Sequence, residues 1–444
     1  MQASLARLTG WGRAARSASV TWTPENAADL AGMFADTPRA HGLVAHAAGR
    51  AYGDCALNDQ GVALLTAGLI GVLGFDPDSG LIEVEPGVTF RQLMAEFLPR
   101  GWLVPVSPGT GYATIGGAVA NDVHGKNHEA AGSFTEHVTA LDLLTPDGTL
   151  RTIGPDREPA LFRATCGGLG LTGVITRIAF RMKRVPGPGV AVTLRRYPDL
   201  DTYLAAMDAA KAATYAVGWI DGTARGAQLG RGILETAEPI GAACGPPPRR
   251  VLGIPVDFPA FALSPLSIAA FNALYYRRAP AGGRTSMVRY EKYFYPLDAL
   301  RDWNRIYGKR GFHQFQNVVP FERGAAALRE LLEVIAESRR ASFLAVLKRL
   351  GPASEQAGPL SFPQAGYTLA LDFPNEPGVA ELYARLVVIT LRYGGRVYLA
   401  KDALLDPGAF REMYPRWGEF REVLEAVDPR RRLQSDMSRR LLLR

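Results

Sequence analysis

Cysteine is scarce: only Cys55, Cys166 and Cys244 occur in 444 residues, far apart and without a CxxC pair. An odd, scattered set builds no disulfide framework and says little about compartment. No stretch of about eighteen uninterrupted apolar residues exists, so no transmembrane helix is expected. The opening "MQASLARLTGWGRAARSASV" is basic but lacks a continuous apolar core, which argues against a cleavable secretory signal. Internal repeats and low-complexity tracts are missing too. Charge is moderate, at net +7 with 21% charged and 47% hydrophobic residues, as in ordinary folded proteins. The length is large for one core and points to two domains or one elaborated domain. The end, "PRRRLQSDMSRRLLLR", carries Arg430, Arg431, Arg432, Arg439, Arg440 and Arg444. It reads as a nucleic-acid contact, an anionic-lipid contact or a solvated helical end.

What the chain has in abundance is glycine at the ends of short strands. "GLVAHAAGR", "LIEVEPGVTF", "HVTALDLLTPDGTLRTI" and "GVITRIAFRMKRV" read as strands, with "TFRQLMAEFLPRG" a helix stopped at Gly101. This is an α+β texture rather than an even βαβ alternation. "RVPGPGV" (184–190) suits a domain junction. Beyond it "DLDTYLAAMDAAK", "ALRELLEVIAESRR" and "VAELYARLVVITLRYGG" read as helices, and "YAVGWID", "FHQFQNVVP", "SFLAVLKRL" and "GYTLALDFP" as strands of a second, helix-backed sheet. Residues 246–280 are apolar but punctuated by prolines and flanked by Arg249–Arg250 and Arg277–Arg278. The prolines oppose a spanning helix. A mobile flap on a membrane or over an apolar substrate fits, and so does a buried connection.

The chemistry concentrates in "TIGGAVANDVHGKNHEAAGSF" (114–134). His124 and His128 have helical zinc spacing, but Gly125 stands where a zinc protease needs glutamate, so no metal site is expected. A P-loop fails because Asn127 replaces the Ser/Thr and Ala120 the first glycine. Gly168, Gly170 and Gly173 match GxGxxG, yet "VITRIAF" after them is a strand, the reverse of a dinucleotide fingerprint. What remains is a cofactor wrapped in backbone. "AAGRAYGD", "SPGTGYATIGGAVANDVHGKN" and "GGLGLTGVIT" are three glycine turns in which Gly49, Gly53, Gly109, Gly116 and Gly117 would let main-chain N–H groups approach a pyrophosphate.

These blocks resemble the FAD-binding domain of the vanillyl-alcohol-oxidase (PCMH) type. Within it, "HGKNHEAAGSF", "YPLDALRDWNRIYGKRGFHQFQ", "PLSFPQAGYTLALDFP", "GGRVYLAKDA" and the C-terminal "VDPRRRLQSDMSRRL" resemble the decaprenylphosphoryl-β-D-ribose 2′-oxidase branch. The likeness runs nearly end to end. It implies an FAD domain of residues 1–187 and 396–444 and an α+β substrate domain of 188–395 with an antiparallel sheet, 246–285 being the flap. It also implies oxidation of a polyprenyl-phosphoryl pentose at C2′, an NADH-dependent short-chain reductase as partner, a membrane surface, and no nucleic acid.

Carried over by position, Ala45, His46, Ala47, Ala48, Gly49, Arg50, Ala51, Tyr52, Gly53, Asp54 and Cys55 wrap the FAD pyrophosphate. Gly109, Thr114, Ile115, Gly116, Gly117, Asn121, Asp122, Val123 and His124 continue the cradle, joined by Ile175 and Tyr398. Tyr52, Lys126, Trp219, Gln314, Gln316, Lys348 and Lys401 face the substrate. Lys401 would stabilise anionic reduced flavin, Lys126 and Lys348 the lipid phosphate, Gln316 the ribose hydroxyls, and His124 would accept the 2′-hydroxyl proton. Asp54 stands where relatives of the superfamily carry the flavin-linking histidine, which implies non-covalent FAD. "VYLAKD" lacks the His-Trp of the "HWGK" block of free-sugar oxidases, and Ala370 replaces a pocket cysteine of some relatives.

Overall fold

The computed structural model describes residues 2–30, 33–36, 40–242, 245, 251–340 and 343–444. Cys244 and residues 246–250 of the apolar segment lie outside the described residues. The fold is α+β.

Three sheets carry it. The first orders strands Gln2–Thr9, Arg16–Thr23, Val62–Leu65 and Leu43–His46. Its first pair is antiparallel and its other two pairs parallel. The second is antiparallel, ordered Val72–Phe75, Leu81–Val84, Val174–Arg181, Val138–Leu144 and Leu150–Ile153. Helix Phe90–Phe97 packs beside it, capped by Thr89, whose side chain accepts from the Gln92 N–H. After Arg100 the chain turns at Gly101, whose φ of +79° a side chain would oppose.

The third sheet has eight antiparallel strands, ordered Arg284–Arg289, Gly189–Tyr197, Gly232–Ile240, Tyr215–Ile220, Ala345–Leu350, Gly366–Pro374, Phe312–Val319 and Arg396–Val397. Helices Leu200–Ala209, Phe321–Ser338 and Val379–Arg392 cover one face. Their apolar stripes (Leu328, Leu331 and Ile335 on one, Leu382 and Leu386 on another) meet Phe315, Leu347, Leu369 and Leu371 of the strands. Alternation therefore sends every second strand residue into this core and leaves the others on the opposite face. The four strand segments read from this half of the sequence form its contiguous centre.

The GxGxxG match is a packing device. A Cβ at Gly168 would meet the Ala164 carbonyl oxygen at 2.0 Å, and one at Gly173 would meet the Leu143 side chain at 2.6 Å. The strand that follows, Val174–Arg181, pairs with Val138–Leu144, and Ile175 is buried there.

The basic C-terminus folds back into the first sheet. Arg440 bonds Asp54 (2.8 and 2.9 Å) and Asp402 (2.9 Å), and its Nη1 donates to the Leu405 carbonyl at 2.6 Å. Arg439 pairs with Asp436 and Asn58, Arg444 with Asp428, and Arg432 donates to the Phe34 carbonyl. Four of the six arginines are thus internal fasteners, which corrects the reading of this end as a basic contact patch or a solvated helical end. No helix among the described residues is long and apolar enough to cross a membrane.

Candidate active site

The sheet face opposite the helices is laid out in rows. One row runs Gln316, Ala370, Val346, Trp219 across four strands. Beside it lie Gln314 with Asp372 on one side and Val318, Thr368 and Lys348 on the other. A loop crosses this face and is tied down by the Ala216 N–H donating to the Lys126 carbonyl (2.9 Å) and the Gly351 N–H donating to His128 Nδ1 (3.0 Å). That loop brings His124 to Gln316, whose Nε2 donates to His124 Nε2 at 3.0 Å. Phe362 and Tyr398 stack at 4.6 Å and flank the His124 ring. Tyr398 ties both sides together, its N–H donating to the Gln316 carbonyl and its hydroxyl to the Asn121 carbonyl.

Three lysines enter the same region, all losing basicity to burial first. Lys126 is lowered to about 8, offset in part by Glu235. Lys348 falls to about 8, with Lys126 adding repulsion. Lys401 falls to about 7, pulled up by Asp372 and down by Lys348. Its Nζ lies 3.6 Å from the Tyr52 ring centre, and Lys126 Nζ donates to the Tyr293 carbonyl over the Tyr293 ring. Crowded, partly desolvated ammonium groups with few acids among them call for an anionic ligand.

Sequence reasoning missed Asp372. It is 0% exposed, its oxygens take hydrogen bonds from Gln314 Nε2 (2.6 Å) and the Tyr307 hydroxyl (3.1 Å), and burial lifts it to about 7. The signal was faint: an acid within the apolar strand "YTLALDFP", in register with a glutamine.

His124 departs from the role expected of it. Burial, then Lys348, His128 and Lys401, hold its pKa well below the ordinary histidine value, so it is neutral and a poor proton acceptor. With Nε2 accepting from Gln316, its proton sits on Nδ1, a buried atom without a protein partner. Trp219 lies in the row described, but its Nε1 donates to the Phe343 carbonyl (2.9 Å) and its ring packs on Tyr275, so it offers surface rather than a hydrogen bond. Ile175 stands on a different sheet from Lys348.

The glycine loop from Ala45 to Cys55 borders the cluster at Tyr52, whose N–H donates to the Ala400 carbonyl. Gly53 is there for contact: a Cβ would meet the Asp402 carbonyl oxygen at 1.6 Å. Gly49 has a φ of +60°. The N–H groups of Ala48, Gly49, Arg50 and Ala51 donate to no acceptor among the described residues, and the buried Nε of Arg50 also lacks one. Consecutive free N–H groups in such a turn form an anion-binding concavity. A Cβ at Gly109 would meet nothing within 4 Å, so open space adjoins that turn. Gly116 and Gly117 differ: their N–H groups go to the Pro86 carbonyl and the Thr114 side chain, and a Cβ at Gly116 would strike Pro86. Asp122 accepts from the Thr135 hydroxyl, Asn121 Nδ2 donates to the Gly117 carbonyl, and the Val123 N–H donates to the Ala118 carbonyl. These residues hold the cradle's shape. The donor run, the unpartnered His124 Nδ1–H and the cationic face together fit a dinucleotide whose pyrophosphate lies on the loop.

A run of free main-chain donors beside a cluster of buried lysines fits one class, the FAD-dependent oxidoreductases. Comparison with known proteins agrees. Residues 18–154 match the FAD binding domain family, and residues 308–441 match the D-arabinono-1,4-lactone oxidase family. The chain is 35% identical to decaprenylphosphoryl-beta-D-ribose oxidase of Mycolicibacterium smegmatis, over 98% of its own length and 97% of the relative's. It is also 35% identical to an uncharacterised Streptomyces coelicolor protein, over 80% of this chain and all of that one. A probable L-gulonolactone oxidase of Arabidopsis thaliana is 30% identical over 29% of the chain and 23% of the relative. The chain belongs to the decaprenylphosphoryl-β-D-ribose oxidase family of FAD-dependent oxidases.

Proposed function

We propose that the chain oxidises the 2′-hydroxyl of a polyprenyl-phosphoryl-β-D-ribose to the 2′-keto sugar. This is the first half of an epimerisation to the arabinose form that an NADH-dependent short-chain reductase completes, supplying arabinose for cell-envelope glycans. The observation that carries the reading is the likeness to the Mycolicibacterium enzyme over 98% of the chain. The cluster of Lys126, Lys348 and Lys401 gives it a physical basis, since a phosphate monoanion and a charge-accumulating cofactor both need cations.

FAD, when bound, accepts hydride from the carbinol carbon. The chain's own residues bind and orient. Ala48 to Ala51 offer main-chain donors to the pyrophosphate, Lys126 and Lys348 hold the substrate phosphate, and Gln314 and Gln316 orient the sugar hydroxyls. His124 contributes a fixed Nδ1–H donor. Residues 1–187 with 396–444 form the FAD domain in this reading, and 188–395 the substrate domain; the return of Arg440 to Asp54 supports it.

Asp54 is engaged by Arg440, and the nearest loop histidine, His46, has its Nδ1 at the Ala56 carbonyl (2.8 Å). FAD is therefore held without a covalent bond. Acid precipitation is expected to leave the yellow colour in the supernatant, whereas a coloured pellet would refute this.

The apolar segment supports association with a membrane surface. Leu252, Val256, Phe261 and Leu266 are exposed, the last at 84%, and helix Pro265–Arg277 ends in exposed Arg277 and Arg278. The helix is seated on the sheet by Tyr275 and Tyr276, which pack against Trp219 and Ile233, and it buries Ile268 and Asn272, the latter donating to Asp221. Sedimentation with anionic vesicles is expected for the wild type and lost in F261S/L266S; equal sedimentation of both would remove this face from the account.

The match of residues 308–441 to D-arabinono-1,4-lactone oxidases favours a second reading, oxidation of a soluble alditol or aldonolactone. Mass analysis after incubation with farnesylphosphoryl-β-D-ribose, xylitol or gulonolactone separates them. Loss of two hydrogens from the lipid sugar alone is expected; loss from a polyol or lactone alone would replace the substrate proposed.

A further inference from the structure

The stretch "YGKRG" (307–311) sets two adjacent cations between two glycines, and neither the cofactor nor the substrate reading uses those cations. Both glycines stand at positive φ, +71° for Gly308 and +72° for Gly311, which a side chain would oppose. They also permit close packing. A Cβ at Gly308 would meet the Phe258 carbonyl oxygen at 2.9 Å, and one at Gly311 the Gly12 carbonyl oxygen at 2.2 Å. The main chain of this turn is fastened from several sides. Arg13 donates to the Gly308 carbonyl (3.2 Å), Arg16 to the Lys309 carbonyl (2.7 Å), and the Asn375 side chain to the Arg310 carbonyl (3.1 Å). The Asn375 N–H donates to the Gly311 carbonyl (2.9 Å). The side chains are not fastened. Lys309 and Arg310 are exposed, and neither side chain has a hydrogen-bond or ion-pair partner among the described residues.

A cavity of about 170 Å³, with room for several water molecules, opens beside the turn. Phe258, Leu263 and Ile306 make it apolar on one side, and Lys309 and Arg310 make it cationic on the other. Phe258 and Leu263 belong to the apolar segment whose neighbouring residues Val256 and Phe261 are exposed. That segment is tied to the chain just before the turn. The Phe258 N–H donates to the Arg305 carbonyl (2.9 Å), and Asp257 pairs with Arg13 (2.6 Å) and Arg305 (3.4 Å). The cavity is therefore a formed feature at the place where the exposed apolar face meets unpaired cations.

We propose that this cavity binds the anionic headgroup of a membrane phospholipid, its phosphodiester on Lys309 and Arg310 and the start of its acyl chains along Phe258, Leu263 and Ile306. The inference rests on the membrane-surface reading of the apolar segment above and deepens it. An arginine fork and an ammonium both bind phosphodiester oxygens by charge-assisted hydrogen bonds. A turn whose main chain is already fixed loses little freedom in making them. A zwitterionic headgroup fits less well. Glu376, the one acid among the described residues of the wall, pairs with Arg340 (4.0 Å), so no free carboxylate is left for a choline or ethanolamine cation. Tyr307 also lines the cavity, and its hydroxyl donates to Asp372 (3.1 Å), so a docked lipid sits one side chain from the substrate face.

The test uses the FAD-loaded protein and a lipid that needs no bilayer. Dihexanoylphosphatidylglycerol, kept monomeric, is titrated calorimetrically into wild type, K309Q/R310Q and R277Q/R278Q. The last pair removes equal charge from exposed arginines that do not line the cavity. Wild type and R277Q/R278Q are expected to bind one lipid alike. K309Q/R310Q is expected to bind roughly tenfold or more weakly, as for loss of a hydrogen bond to a charged group. Dihexanoylphosphatidylcholine should bind wild type more weakly than the anionic lipid. Equal loss in both variants would show diffuse surface charge, and inorganic phosphate binding wild type as tightly as the lipid would show a plain anion site; either overturns the proposal. One-for-one displacement of the lipid by farnesylphosphoryl-β-D-ribose would give the cavity to the substrate and overturn it too. Sedimentation on anionic vesicles without binding of the soluble lipid would reject this site alone. One-site lipid binding without such sedimentation would reject the membrane-surface reading and leave the site standing.

Discussion

Lys401→Met is expected to lower kcat for the lipid sugar by roughly 10²–10³-fold while leaving FAD content unchanged. The size follows from removing one preorganised charge at the place where charge develops, which costs about 3–4 kcal/mol in comparable sites. Stability should not suffer. Burial already opposes the Lys401 ammonium strongly enough to bring it to about 7, so an apolar side chain of similar length removes a desolvation penalty. Lys348→Met should behave differently. With Lys348 on the sheet beside Thr368, its loss is expected to raise KM for the phosphorylated substrate more than it lowers kcat. Rapid-quench kinetics together with thermal melts separate the two outcomes; equal loss of kcat in both variants would show that the lysines are not divided in this way.

Arg440→Ala is expected to be the most damaging single change to the folded state. The guanidinium holds Asp54 of the glycine loop, the fully buried Asp402 after Lys401 and the Leu405 carbonyl. Asp402 also accepts from the Tyr383 hydroxyl and from the Leu404 and Leu405 N–H groups. Removing the one cation leaves two carboxylates facing each other with little solvent. Breaking a buried pair costs about 3–5 kcal/mol; Arg440 is 24% exposed by side chain, so the lower end applies. The damage should reach the flavin, since the glycine loop and the Lys401 turn share this anchor. Flavin fluorescence during a thermal ramp is expected to show FAD release several degrees below wild type, and release at the wild-type temperature would contradict the anchoring role. Arg440→Lys should recover only part, because one ammonium cannot serve both carboxylates and a carbonyl in the same geometry.

Strands with apolar residues at every second position were legible directly. "GYTLALDFP" alternates, and the structure sets it between "FHQFQNVVP" and "SFLAVLKRL", with Gln314, Gln316, Thr368, Asp372 and Lys348 on one face while Asn317 turns to Thr390 of a covering helix. The hairpin Gln2–Thr9 and Arg16–Thr23 escaped the same test. Its inward positions are Ser17, Ser19 and Thr21, buried and hydrogen-bonded to one another, to Asn58 and to Ser4, so the period-two pattern is written in hydroxyls. The arginine-rich end misled for a related reason. Charge counts show surplus cations but not that Asp54 and Asp402 wait for Arg440. Asp372 was invisible because its place depends on a cross-strand register with Gln314 and on a hydrogen bond from Tyr307 of a separate segment. The glycine turns were legible as places of close approach. Which of them approach a ligand and which approach protein, as at Gly53 and Gly116, depends on neighbours distant in sequence.

The central claim is that the cradle holds a flavin that takes hydride from a lipid-linked sugar. Anaerobic mixing of the yellow protein with farnesylphosphoryl-β-D-ribose, followed by its visible absorbance, tests it most directly. Rapid bleaching is expected with the lipid sugar and none with xylitol or gulonolactone. Bleaching by a soluble polyol or lactone in place of the lipid sugar, or a protein that takes up no FAD at all, would contradict it.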